Sequence, residues 1–171
     1  MKLRVVLMML IQLSFFSPDA MAQSETEYVD PDGKYRFKLV SEWRAVSFND
    51  AVGRQKTEFV YRDRSEGLLK VARQSLSGSL AELIRQEEEN LRVYKPGYQR
   101  VTLEPFGGGS LTGTLLAFFT NEGGRQMANT YYYLQDGNAV WVLRFSGKRG
   151  TLDINRNLTD QIARSFRTNT K

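Results

Sequence analysis

Asp30 and Asp32 flank Pro31, and Asp63 and Glu66 share one polar stretch. Two carboxyl groups held about 5 to 9 Å apart across a cleft do the general acid and base work of glycoside hydrolysis. These residues read better as turn formers, because aspartate bonds nearby backbone amides, with weak oxygen-only metal binding as the alternative. Glu87-Glu88-Glu89 offers three carboxylates to a cation, yet adjacent residues fan around a helix, so the triplet reads as a solvated face. Gly107-Gly108-Gly109 has the glycine content of a phosphate cradle. Ser110 then leads into an apolar strand rather than into a lysine and a helix, so the run reads as a flexible hairpin loop. In Tyr131-Tyr132-Tyr133 the middle ring points to the opposite sheet face from its neighbours. The run reads as core packing, with at least one ring under a helix, and a ring that reaches a rim as an anchor for a partner is the alternative. Arg62 and Arg64, together with Lys148 and Arg149, fall in predicted turns and read first as scattered surface charge, with one electropositive patch as the alternative if the fold joins those turns. Asn157-Leu158-Thr159 matches a glycosylation sequon by chance on a predicted helix.

The 171 residues contain neither cysteine nor histidine. Disulfides, thiolate chemistry, the usual zinc and haem sites, serine-histidine triads and histidine bases are therefore excluded. No residue is expected to be catalytic, and no cofactor or metal is expected. Met1–Ala22 opens with Lys2 and Arg4, continues through the apolar run Val5–Phe16 and closes on Ala20-Met21-Ala22. That is the pattern of a secretory signal peptide cleaved after Ala22, with an apolar stretch too short to span a bilayer of about 30 Å comfortably. A lipid anchor would need a cysteine at the cleavage site. The mature chain retains 22 basic and 18 acidic residues, a mild excess that suits an acidic protein, an anionic membrane surface or nucleic acid. Export argues against nucleic acid. An exported domain with no disulfide suits the periplasm first, with a thylakoid lumen or a secreted setting as alternatives.

No repeat or linker divides the mature chain, so residues 23–171 are expected to form one domain. Gln23–Glu27 reads as a polar tail, and Pro31 and Gly33 mark a turn. Lys34–Val40 alternates as a half-buried strand, and Trp43 opens the next extended piece. Lys56–Arg62 and Leu68–Leu76 form a hairpin around Asp63–Gly67. Ser79-Leu80-Ala81-Glu82 is a capping box. It starts a helix with Leu80, Leu83, Ile84, Glu87 and Leu91 on one stripe and Arg85, Glu88, Glu89 and Arg92 opposite, ending before Lys95-Pro96-Gly97. Four strands follow as a meander: Tyr98–Phe106, Leu111–Thr120, Arg125–Gln135 and Ala139–Ser146. Asp136-Gly137-Asn138 is the strongest hairpin signal. Leu115–Phe119 and Trp141–Phe145 are bulky on both faces, which predicts cover on both sides. One closing helix over about Leu152–Phe166 supplies one cover. This order predicts an α+β fold, an α-β-α sandwich on a mainly antiparallel sheet.

Tyr28-Val29-Asp30-Pro31-Asp32-Gly33-Lys34-Tyr35-Arg36-Phe37, followed by Glu42-Trp43, resembles the opening of PsbP-like domains. Ile162-Ala163-Arg164-Ser165-Phe166-Arg167 is similar to the close of the last helix in that family and its Mog1-related cousins. The resemblance spans most of the mature chain and rests on short, mainly structural motifs. It implies a non-enzymatic binding module, of the kind found as photosystem II extrinsic and assembly proteins, Ran-binding proteins, and bacterial envelope proteins or secretion chaperones. The chain lacks the extended basic amino-terminal segment of photosystem-binding members, so no metal or manganese-cluster residue carries over.

The expected function is thus an exported PsbP/Mog1-like module that binds a protein partner as an accessory or assembly factor at a membrane complex. A carrier of a small apolar ligand or lipid in the envelope is the alternative, and a carboxylate enzyme the weakest reading. The candidate partner contacts are Arg62, Arg64, Tyr132, Lys148 and Arg149. Trp43 and Trp141 are expected in the core.

Overall fold

The computed structural model describes residues 25–107 and 109–169. The targeting segment expected at Met1–Ala22 lies outside them, as does Gly108.

The described residues form two antiparallel sheets. The smaller is centred on β2 (Tyr35–Val40), whose Phe37 and Leu39 are buried while Arg36 and Lys38 face outward. On one side of it lies β1 (Glu25–Val29), on the other the two-residue β10 (Arg167–Thr168). Residues 25–27, expected as a polar tail, are instead a strand. Glu25 pairs with Lys38 at 2.8 Å and Glu27 with Arg36 at 3.8 Å, so the polarity belongs to the outer face of an edge strand.

The larger sheet holds β3 (Trp43–Asn49), β4 (Gln55–Tyr61), β5 (Gly67–Ser75), β6 (Gln99–Phe106), β7 (Thr112–Glu122), β8 (Arg125–Asp136) and β9 (Ala139–Lys148). Its order is β3-β4-β5-β9-β8-β7-β6, with every neighbour antiparallel. The meander β6–β9 appears as expected, closed between β8 and β9 by a tight turn with Gly137 at a φ of 57°.

Helix α1 (Leu80–Tyr94) starts as the capping box requires: the Ser79 hydroxyl accepts a hydrogen bond from the Glu82 amide at 3.1 Å. Ser79→Ala should lower stability by about 1 kcal/mol, measured by urea denaturation. A loss below a few tenths would mean that packing alone sets this helix start.

The single closing helix expected over Leu152–Phe166 is two pieces, α2 (Arg149–Leu152) and α3 (Arg156–Ser165). Asn155 breaks it. Its backbone sits at φ −98° and ψ 19°, and its side-chain amide donates to the Thr151 carbonyl at 2.8 Å, a local bond that competes with the helix ladder. The predicted stripe survives the break, since Leu152, Leu158, Ile162 and Phe166 are all buried.

Side-chain alternation divides the core between the two faces of the large sheet. Leu116, Phe118, Tyr131, Tyr133, Val140 and Val142 pack with Ile84 of α1. On the opposite face Leu115, Tyr132, Leu134, Trp141, Leu143 and Phe145 meet α2, α3 and the small sheet. The result is the expected sandwich, with β1-β2-β10 sharing one outer layer with the closing helices. Trp43 and Trp141 are both buried.

Candidate functional site

The fold does join the two basic turns. The Lys148 amide donates to the Ser65 carbonyl at 3.3 Å, and the Lys148 ammonium and Thr151 hydroxyl both bond the Glu66 carboxylate. Gly147 permits this approach, because a Cβ there would collide with the Glu66 carbonyl. Each base nevertheless meets an acid. Arg62 pairs with Glu42 at 2.6 Å, Arg64 with Glu58 at 2.8 Å, and Arg149 with Asp153 at 3.6 Å while its guanidinium lies over the Phe119 ring. Hydrogen bonds from Arg62 hold the Glu42 carboxyl below its usual range, and those from Lys148 and Thr151 do the same for Glu66. The junction is a mosaic of alternating charge rather than an electropositive patch.

Tyr132 is not a partner contact. Its side chain is fully buried, with the ring edge-on to Phe106 and Phe145 and the hydroxyl held by Thr159 at 2.8 Å and Asp160 at 2.5 Å. Cover on both faces leaves no rim for this tyrosine run, and Tyr131 and Tyr133 are buried as well. Thr159 of the sequon is likewise buried.

The carboxylates serve the fold. Asp63 accepts from the Ser65 amide and hydroxyl, both at 2.7 Å, and from the Glu66 amide at 3.1 Å, closing its turn. Asp30 accepts from the Lys34 amide, and Asp32 pairs with the Lys34 side chain. Of the acidic triplet, Glu89 pairs with Arg85 on the helix surface, while Glu87 reaches Arg144 of β9 at 2.8 Å. Glu88, expected on the solvated face, is buried and accepts from the Tyr98 hydroxyl at 2.9 Å, Arg92 at 3.0 Å and Arg100 at 3.2 Å. Its stripe extends around the helix to meet Tyr98 and β6. No group of three or more acidic side chains among the described residues is placed to hold a metal ion. The glycine loop lies against the end of α3: Arg164 bonds the Gly107 carbonyl, and the Ser110 hydroxyl donates to the Phe166 carbonyl at 3.2 Å.

Two of the open features among the described residues stand out, neither visible as a motif; another cavity, of about 330 Å³, is lined by Tyr28, Asp30, Asp32 and Tyr35. A groove of about 500 Å³ runs between α1 and the sheet, lined by Gln74, Glu87, Asn90, Leu91, Tyr94 and Arg144 among others. At its end Tyr94 stands 78% exposed, and Val93 on the same last turn of the helix is exposed as well. The second feature is a split in the large sheet. β4 and β5 pair only at Phe59↔Leu69 and Val60↔Leu68, then part. A cavity of about 340 Å³ opens there, walled by Phe48, Lys56, Thr57 and Glu58 on one side and Lys70 and Val71 on the other. On the opposite sheet face the Tyr28 and Tyr35 rings, 6.1 Å apart, reach from Phe59 of β4 to Trp141 of β9.

No known family profile and no curated protein sequence matches the chain. Solved structures match its fold. A Bacteroides thetaiotaomicron protein superposes with a TM-score of 0.59 at 15% identity over 87% of this chain, which spans 50% of that protein. Cyanobacterial PsbP (CyanoP) from Synechocystis sp. PCC 6803 gives 0.57 at 14% identity, covering 88% of this chain and 95% of its own. The Saccharomyces cerevisiae Ran-binding protein Mog1p gives 0.57 at 8% identity, covering 86% and 96%.

Proposed function

Starting from the PsbP/Mog1-like fold that these superpositions establish, we propose that the protein is an exported, non-enzymatic module that binds a protein partner as an accessory or assembly factor of a membrane-associated complex. The observation that carries this reading is the groove beside α1. It combines exposed Tyr94 with charged and amide side chains, the mixture of an aromatic anchor and a polar rim that protein interfaces use. Mog1p, of the same fold, is described as Ran-binding, which supports a protein as the ligand class. Export to the periplasm rests on the signal pattern at Met1–Ala22. No helix among the described residues is long and apolar enough to cross a membrane. Gln74, Gln86, Glu87, Asn90 and Arg144 alternate with Leu83, Leu91 and Tyr94 along an open groove, a mixed surface that favours a protein contact over an enclosed acyl-chain site.

A photo-crosslinking amino acid placed at Tyr94 in the producing cells tests this reading. A discrete protein adduct in the envelope fraction, lost when Asn90 is also replaced by arginine, is the expected result. No protein adduct, together with a retained small molecule in native mass spectrometry, would replace the binding module with a carrier.

A further inference from the structure

We infer that the β4-side edge of β5, from Lys70 to Ser75, is the docking site for an extended, acidic segment of a partner protein, added to the sheet as a strand. This deepens the protein-binding reading and rests on it.

The backbone carries the first part of the argument. β5 pairs with β9 at every position from Leu68 to Ser75, whereas β4 meets it only at Leu68 and Leu69. Residues 70–75 therefore have a strand partner on one side and none on the other among the described residues. A strand edge of this kind presents a row of peptide donors and acceptors ready to pair with another chain. Six residues span roughly 20 Å, enough for a short peptide. Proteins blunt such edges with proline, bulges or a covering element. Here the sequence Lys70-Val71-Ala72-Arg73-Gln74-Ser75 has no proline, its register with β9 runs without a bulge, and the 340 Å³ cavity lies along its start.

Charge selects the occupant. Most bases of the described chain meet a carboxylate, but Lys70 and Arg73 do not; the Arg73 guanidinium instead lies over the Trp141 ring. The nearby acids are already engaged, including Asp136, which lines a pocket with Arg73 and accepts from the Trp141 indole at 3.4 Å. Glu58 pairs with Arg64, and Asp50 accepts from Arg54 and Lys56 as well as from the Val52 and Arg54 amides. Odd spacing along a strand sends Lys70 to one face and Arg73 to the other. A strand laid on this edge then sets its alternate side chains beside one cation on each face, and glutamate or aspartate on both faces completes the pairing.

The test uses the purified protein and a synthetic peptide, Thr-Glu-Val-Glu-Val-Glu-Glu-Thr, with hydrogen exchange read residue by residue. Exchange at those amides of residues 70–75 that point away from β9 should slow at least about tenfold on peptide addition. The K70E/R73E double variant should lose about tenfold or more in affinity and regain binding to the same peptide with lysine in place of each glutamate. That charge swap also shows that the variant is folded. A peptide interrupted by proline should not bind. Protection confined to the outer edges β3 or β6, equal binding of the proline peptide, or an unchanged affinity of K70E/R73E would overturn the assignment. If Tyr94 yields protein adducts while these amides stay unprotected, the strand-docking site alone fails. If Tyr94 yields none, the parent reading fails whatever the peptide does.

Discussion

Phe166→Ala should destabilise the protein by about 3 to 5 kcal/mol, measured by chemical denaturation. The ring is 1% exposed and stands at the meeting point of three elements. It stacks on Tyr35 at 5.5 Å and Phe37 at 6.1 Å in the small sheet, and lies tilted 5.5 Å from Trp141 in the large one. Its own backbone follows α3, whose Leu158 and Ile162 it joins in the same core. Truncation removes apolar burial and leaves a void that rings on three sides are too rigid to fill. Phe166→Leu should recover more than half of the loss, because volume is largely restored. A deficit under 1 kcal/mol for the alanine variant would mean that the small sheet is not held to the large one through this residue.

Glu88→Ala should cost about 2 to 3 kcal/mol at neutral pH, since it leaves the Tyr98 hydroxyl and two guanidinium groups without their common acceptor. Burial works against the Glu88 charge, but the bonds from Tyr98 and Arg92 and the nearby Arg100 outweigh it, and the carboxyl titrates below its ordinary value of 4.5. A carboxyl whose folded value is depressed binds its proton more readily when the chain is unfolded. Its stabilisation is therefore complete above the ordinary value and is lost as pH falls through the folded one. The gap between the parent protein and Glu88→Gln should narrow from pH 7 to pH 3. Urea denaturation at the two pH values checks this, and an equal gap at both would remove Glu88 ionisation from the balance.

Sequence reading succeeds where one residue's local chemistry decides. Ser79 starts α1, Gly137 turns β8 into β9, and the opposed faces of Tyr131 and Tyr132 are implied by a period of two. It falls short where the partner is distant in the chain. The charges of Glu25 and Glu27 look like those of a tail until Lys38 and Arg36 lie across from them. Glu88 looks solvated until β6 brings Tyr98 and Arg100 to it. Arg62, Arg64, Lys148 and Arg149 do gather, as their turns allow, but Glu42, Glu58, Glu66 and Asp153 arrive with them, and no spacing rule announces those pairs. The parting of β4 from β5 falls where β4 changes from the polar Gln55-Lys56-Thr57-Glu58 to the buried Phe59-Val60-Tyr61, a change in composition that the hairpin pattern alone does not convert into a gap.

The placement of β5 against β9 also sets an order of assembly. β6 to β9 are joined by short turns, so their contacts are local and close early, each hairpin templating the next. β5 reaches its place only by closing a loop that contains α1 and three of those strands, an entropic demand met late in folding. β3 and β4 hang from β5 and must follow it. Contact order thus predicts that the meander forms before β5 docks on it. The three amino-terminal strands of the large sheet, β3 to β5, are thereby expected to dock last and open first, and the parting of β4 from β5 lies within that unit.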